Sequence, residues 1–222
     1  MASVTRLVKT SKVAWSGMSS PLTRLMMFVN DTGIVNETLR DWSTTTDKDK
    51  QARKGSARGF FARLQMAYVY EVLDAIKAIR ASKDWMAKVE RCPKGTKDHF
   101  DKVCAFLDSA DYKTLTILRN NACFHYADKL SVKAVEEIAI NNPNDESKFS
   151  QGDRLLEWYF ELGDKVTQRI TVHHVFQVEE GKDMGKESDA IANRIFDAAE
   201  EIALFAGGFI QEVDSTSRRI EI

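Results

Sequence analysis

One stretch, LTILRNNACFHYADK (115–129), holds residue types that together suit a phosphate group. Arg119 supplies a planar cation that cannot shed its proton. His125 supplies a ring nitrogen that takes or gives a proton near neutral pH. Asn120, next to the arginine, can hydrogen-bond to a phosphate or set the tautomer of the imidazole.

On a helical wheel Leu115, Ala122 and Tyr126 fall within about 60° of Arg119 on one side, and Cys123 about 40° away on the other. The cation therefore sits inside an apolar arc. Either it pairs with a carboxylate such as Glu71 or Asp74 while His125 packs as a satisfied core residue, or both line a cleft that receives an anion. On a regular helix His125 lies about 120° and about 9 Å from Arg119. The two converge only if the helix departs from α geometry or if two copies of the stretch meet across a two-fold axis.

A basic run of Lys48, Lys50, Arg53, Lys54, Arg58 and Arg63 gives RNA a positive approach, with Lys50, Arg53, Lys54 and Arg58 as the candidate contacts. The alternative is a solvated helix start whose charges are compensated by acids. Phe60 and Phe61 beside it read as core. Trp15, Trp42, Trp85 and Trp158 read as core or interface anchors rather than a base-stacking platform.

Other chemistry is weaker. Arg169 and His174 repeat the arginine–histidine spacing, but Ile170 takes the polar position. His173 and His174 are adjacent, so they point to different sides of any helix or strand, and no further metal ligands cluster near them. Cys123, two places before His125, does not face it on a helix. The AGGF stretch at 206–209 lies late in a helix and lacks the strand and lysine of a phosphate loop.

The elements that must position these residues read as helices. Leu22, Leu25, Met26, Val29, Ile34 and Leu39 predict one from 21 to about 44, with Gly33 as a point where it could break. A polar run, STTTDKDKQARKGSARG, is a loop or a solvated helix start. Phe61, Leu64, Tyr68, Val72, Ile76 and Ile79 recur at three and four and predict a long amphipathic helix. CPKGTK breaks the pattern at 92–97, and Phe100, Val103, Cys104 and Leu107 resume it. Ser109 or Asp111 is the expected cap of the helix bearing Arg119. Helices are expected at 132–140 and from 155 to about 166, the latter including Trp158 and Phe160, with NNPNDESKFSQG as a loop between them. RITVHHVFQVEEGKDMGK fits a short strand or an extension of the preceding helix. Ile191, Ile195, Ala198, Ile202, Phe205 and Phe209 form a seam on a last long helix, expected to be core.

Of 222 residues, 43% are hydrophobic and 29% charged, enough for a real core. Only 3 prolines and 11 glycines occur, which leaves room for long helices. The expected architecture is all-α, an up-and-down bundle with peripheral irregular segments, as a single domain over 1–222 with 1–20 peripheral. Net charge is -1, so any nucleic-acid surface must be local. Three cysteines without CxxC spacing argue for a reducing compartment. The first residues, MASVTRLVKTSKVAWSG, lack an apolar leader core, and no apolar run approaches a membrane span. A cytoplasmic protein is expected.

The stretch Arg119-Asn120-Asn121-Ala122-Cys123-Phe124-His125, an arginine and polar residue followed by a histidine on a late helix, resembles the HEPN superfamily of prokaryotic defence and toxin systems. The long helices around it, including FFARLQMAYVYEVLDAIKAI, are similar in kind. The resemblance implies a dimer-forming helical bundle and a metal-independent endoribonuclease whose cleft is built from both chains, with Arg119, Asn120 and His125 in the catalytic roles. It implies RNA as substrate, a second copy as partner, an antitoxin or regulatory protein as a further one, and no metal or cofactor. The tyrosine that one subgroup, paired with a nucleotidyltransferase antitoxin, carries two places after the histidine is here Tyr126, immediately after it. The competing expectation is a non-catalytic dimeric adaptor, or an RNA-binding or regulatory subunit, of the same fold.

Overall fold

The computed structural model describes residues 5–7, 19–123, 127–144, 146–153, 158–213 and 218–220. The chain is all-α in character. In order come β1 (Thr5–Leu7), α1 (Ser19–Thr44), α2 (Lys48–Ala52), α3 (Lys54–Ala81), α4 (Lys83–Arg91), α5 (Lys94–Leu107) and α6 (Ala110–Leu118). A π-helical segment, Arg119–Cys123, follows α6. Then come α7 (Asp128–Asn141), β2 (Phe149–Ser150), β3 (Tyr159–Phe160), α8 (Glu161–Arg169), a second π-helical segment (Ile170–Val175), α9 (Met184–Val213) and β4 (Arg218–Ile220). The strands form two minimal antiparallel pairs, β1 with β4 and β2 with β3.

Two compact units divide the chain. One takes residues 1–31, 71–109 and 197–222, and the other 32–70 and 110–196. The first is an apolar cluster. Leu22, Leu25 and Phe28 of α1, Leu73, Ile76 and Ile79 of α3, Val103 of α5 and Ile202 of α9 are all buried in it. Its aromatics pack in series: Trp85 lies 5.6 Å from Phe209, Phe209 lies 4.9 Å from Phe205, and Phe205 lies 5.0 Å from Phe100. Full burial of such side chains contributes roughly 1.5–3 kcal/mol each. Ser82 caps α4 by accepting from the backbone N–H of Trp85. Cys92-Pro93 separates α4 from α5, because proline cannot continue the ladder of the helix before it. Gly208 of α9 faces Thr96 so closely that a Cβ there would lie 2.2 Å from the threonine Oγ1. Half-buried Glu201 accepts from Lys102 Nζ at 2.7 Å and meets His99 Nδ1 at 2.6 Å.

The second unit holds the chemistry-bearing residues. Leu115 and Leu118 of α6, Ala134 of α7, Ile170 and Val175 of the second π segment and Ile195 of α9 form its core. Arg194 of α9 grips Asp111 of α6 with two bonds of 2.9 Å, a planar fork on a carboxylate. This fixes α6 within its first turn, at its second residue.

Some expectations are corrected and others are decided between their alternatives. Helix α1 runs unbroken through Gly33, and Ile34 on its stripe is exposed while Val35 is buried. Most of the polar run after it is helical, in α2 and the start of α3. Ser109, just before α6, donates its hydroxyl to Phe106 O at 2.7 Å. Trp158 and Phe160 precede α8: Phe160 pairs in β3 with Phe149, and its aromatic and β propensity is spent in that pairing. The ambiguous stretch after α8 extends the helix, in π form. The last seam is core from Ile195 to Phe209, on a helix that spans Met184–Val213. Among the described residues no helix is long and apolar enough to cross a membrane.

Candidate functional site

Arg119 opens the first π segment. The local sequence explains the departure from α geometry. Thr114 and Thr116 donate back to Ala110 O and Tyr112 O, and Asn121 Nδ2 donates to Ile117 O at 2.8 Å. Side chains of these types compete for backbone partners and loosen the i→i+4 ladder. The result is a turn with i→i+5 character, a form enriched at functional sites.

Arg119 is half-buried between fully buried Leu115, Leu118 and Ala122 and exposed Asn120. Its guanidinium carbon lies 5.6 Å over the ring of Tyr70, which stacks on Tyr112 at 6.2 Å with ring planes 5° apart. The guanidinium also meets Asn120 Oδ1 at 3.4 Å. A cation on an aromatic face is held in plane by the ring quadrupole. Of the two carboxylates considered for Arg119, Asp74 pairs with Lys77 at 3.1 Å and lies 3.9 Å from Arg24. His125 and Tyr126 lie outside the described residues.

Cys123 ends the π segment and its thiol donates to Arg63 O at 3.3 Å. Burial pushes this thiol up to about 11, against the pull of Arg63 and Arg119. It is protonated at neutral pH and is no nucleophile there.

Arg63 belongs to a wall between two cavities of the second unit. The first, of about 580 Å³, is lined by Trp42, Phe60 and Phe61 and by Arg53, Arg63 and Ser131. The second, of about 560 Å³, runs toward the start of α9. Ser56, Arg63, Asp164 and Thr167 line both. Ser56 donates to Asp164 Oδ2 across the wall. Tyr159, which β3 delivers here, also bonds to both; burial foremost raises its hydroxyl above the usual tyrosine value.

The basic run divides over these cavities. Lys50 Nζ sits 5.8 Å over Trp42, Arg53 lies 5.8 Å over Tyr159, and Lys54 Nζ donates to Ser43 O at 2.5 Å, near the carbonyl end of α1. These three gather near the first cavity. Arg58 turns to the second and pairs with Asp189 at 3.5 Å. Phe60 and Phe61 are not core: Phe60 is 49% exposed. Trp42 is half-buried at the same place, whereas Trp85 is the buried anchor and Trp158 donates to Gly152 O at 2.7 Å. The stripe on α3 explains the misreading, because Val72, Ile76 and Ile79 are buried while Phe61, Leu64 and Tyr68 are only half-buried.

The second arginine–histidine spacing closes on a carboxylate. Arg169 Nε donates to Glu137 Oε2 at 2.8 Å and His174 Nε2 meets the same oxygen at 3.1 Å. Arg169 also pairs with Glu180, and Lys133 approaches Glu137 at 3.7 Å. The side chains of Arg169 and His174 are 15% and 13% exposed, so this cluster is a lock rather than an open site. His173 points elsewhere, to Val178 O at 2.7 Å and Met184 Sδ at 3.2 Å. Among the described residues no group of three or more His, Cys, Asp or Glu is placed to hold a metal ion.

Tyr70 as the partner of Arg119, and Tyr112 as the ring stacked on Tyr70, were not legible. Tyr112 lies seven positions before Arg119, two turns along the same face, which is a usable signal. Tyr70 comes from α3, and nothing local announces it. No protein-family model, curated protein or solved structure matches the chain.

Proposed function

We propose that the chain is a metal-independent endoribonuclease of the defence or toxin type, acting at Arg119, Asn120 and His125. The observation that carries the reading is Arg119 itself. It is a half-buried cation on a π segment, held on Tyr70 beside an exposed asparagine, and its segment is tied through Cys123 to the basic and aromatic cleft. Such an arginine stabilises charge on a pentacoordinate phosphate. His125 takes the proton of a ribose 2′-hydroxyl or gives one to the leaving oxygen. The 2′-hydroxyl is the nucleophile, so the products carry a 2′,3′-cyclic phosphate, no metal is needed and DNA survives.

The helices are read as an up-and-down bundle that pairs with a second copy to complete the cleft. Exposed apolar side chains flank the segment, Ile117 before it and Val132 and Val135 after it, and suit such a pairing. An antitoxin or regulatory protein is the further partner, in a cytoplasmic setting. The same side chains also suit a non-catalytic dimeric adaptor or RNA-binding subunit. The test is purified protein with total RNA in EDTA, comparing wild type with Arg119→Ala, Asn120→Ala and His125→Ala. Cleavage lost in all three supports the nuclease. Equal cleavage of DNA, or full activity in His125→Ala, refutes it, and RNA bound but left intact by wild type selects the adaptor.

A further inference from the structure

We infer that Tyr70 is a positioning residue for Arg119: its ring orients the guanidinium, and through it the place where a phosphate is met. This rests on the ribonuclease reading above and deepens it. The side chain that sets the reacting geometry then belongs to α3, not to the helix that bears Arg119.

The contacts form a row. Tyr112 of α6 stacks on Tyr70 at 6.2 Å with ring planes 5° apart, and the Arg119 guanidinium carbon lies 5.6 Å over the same Tyr70 ring. Tyr112 and Arg119 are seven positions apart, two turns of α-helix, and so share a face. Arg119 is also the first residue of the π segment, so Tyr70 touches the helix where its period changes. The far end of that segment meets α3 as well, through the Cys123 thiol on Arg63 O at 3.3 Å. Arg63 and Tyr70 are themselves seven positions apart on α3, so α3 meets both ends of the segment two turns apart.

A ring is suited to this task. A carboxylate that locks an arginine spends its N–H donors and cancels its charge, as Asp111 does to Arg194. A ring face attracts the cation through its quadrupole and leaves the charge in place. It orients the planar group without putting an anion where the phosphate must come. Orientation acts on the transition state more than on substrate affinity, so its loss lowers kcat and spares KM.

The experiment compares wild type with Tyr70→Leu, which removes the ring but keeps an apolar side chain, and with Tyr70→Phe, which keeps the ring. Steady-state RNA cleavage gives kcat and KM. NMR of the arginine Nε–H groups, with the Arg119 signal assigned from Arg119→Lys, reads the effect of the ring on the guanidinium without any substrate. Circular dichroism confirms folding, and Tyr70→Met takes the place of a leucine variant that fails to fold. In Tyr70→Leu the expected result is a fall in kcat of roughly tenfold with KM within about twofold of wild type. The ring-current shift at Arg119 should vanish with it, and Tyr70→Phe should recover both. Wild-type kcat in folded Tyr70→Leu, a change confined to KM, or an Arg119 signal unmoved by the substitution overturns the positioning role. A wild-type protein that leaves RNA intact removes the ribonuclease reading; the NMR comparison then still decides whether Tyr70 orients Arg119.

Discussion

Arg169 and His174 meet on a single oxygen of Glu137, at 2.8 and 3.1 Å. Five positions apart on an α-helix, they would point about 140° from each other. The π-helical segment Ile170–Val175 removes that divergence, because its bonds run i→i+5 and align residues five apart. Phe176 N–H to Thr171 O, at 2.9 Å, is one such bond.

Glu137 should matter most at neutral pH. Burial pushes its carboxyl up, but the Arg169 hydrogen bond and the charges of His174, Arg169 and Lys133 outweigh this and hold it below the usual value of 4.5. A depressed carboxyl stabilises the fold above its unfolded value, and that contribution is lost as pH falls through the folded value. Glu137→Gln is expected to cost about 1 kcal/mol at pH 7. The difference from wild type should shrink below pH ~4.5. Urea melts at pH 7 and pH 3.5 check this; an unchanged gap would count against it.

On the ribonuclease reading proposed above, replacing Arg119 by lysine should not preserve cleavage. Lysine keeps the charge but not the planar fork or the stacking on Tyr70. Both Arg119→Lys and Arg119→Ala are expected to lower single-turnover RNA cleavage by roughly 10²–10³-fold. Wild-type rates in the lysine variant would show that charge alone suffices.

Cys123 should be slow toward alkylation in the folded protein. With its thiol at about 11, little thiolate exists at pH 7.5, and labelling should rise only on unfolding or well above neutral pH. Mass spectrometry after timed iodoacetamide treatment measures it. Cys123→Ser should leave RNA cleavage unchanged, and a loss there would reopen the thiol as a participant.

Gly208→Ala should destabilise. Helix propensity alone favours alanine by about 1 kcal/mol. The new Cβ, however, would fall 2.2 Å from Thr96 Oγ1 and 2.8 Å from its Cγ2. A net loss of about 1–3 kcal/mol is expected. Thr96→Gly should recover most of it in the double variant, and thermal melts of the four proteins close the cycle.

The helices were legible because apolar spacing records which face is buried, as in Ile195, Ile202 and Phe209. Where the stripe faces a cavity instead of core, the same spacing misleads, as at Phe60 and Phe61. Arg119 and the basic run could be singled out by residue type. Their partners could not, because Tyr70, Asp164 and Trp42 come from elements distant in the chain. Departures from α geometry were half-legible: threonines and asparagines before and within 119–123 signal competition for the ladder, but not that one extra residue would be absorbed. The wheel drawn for Arg119 assumed a period that ends at that residue.

A π segment is an α-helix holding one residue more than its turn requires. Between Ile170 and Val175 the chain therefore carries one residue beyond an α-helical count. Exchanging an outward residue there leaves the phase intact. Losing one residue there would restore the ordinary turn and leave the histidine four places after Arg169, about 40° from it, so the lock on Glu137 is set by a single turn of helix and not by the extra residue.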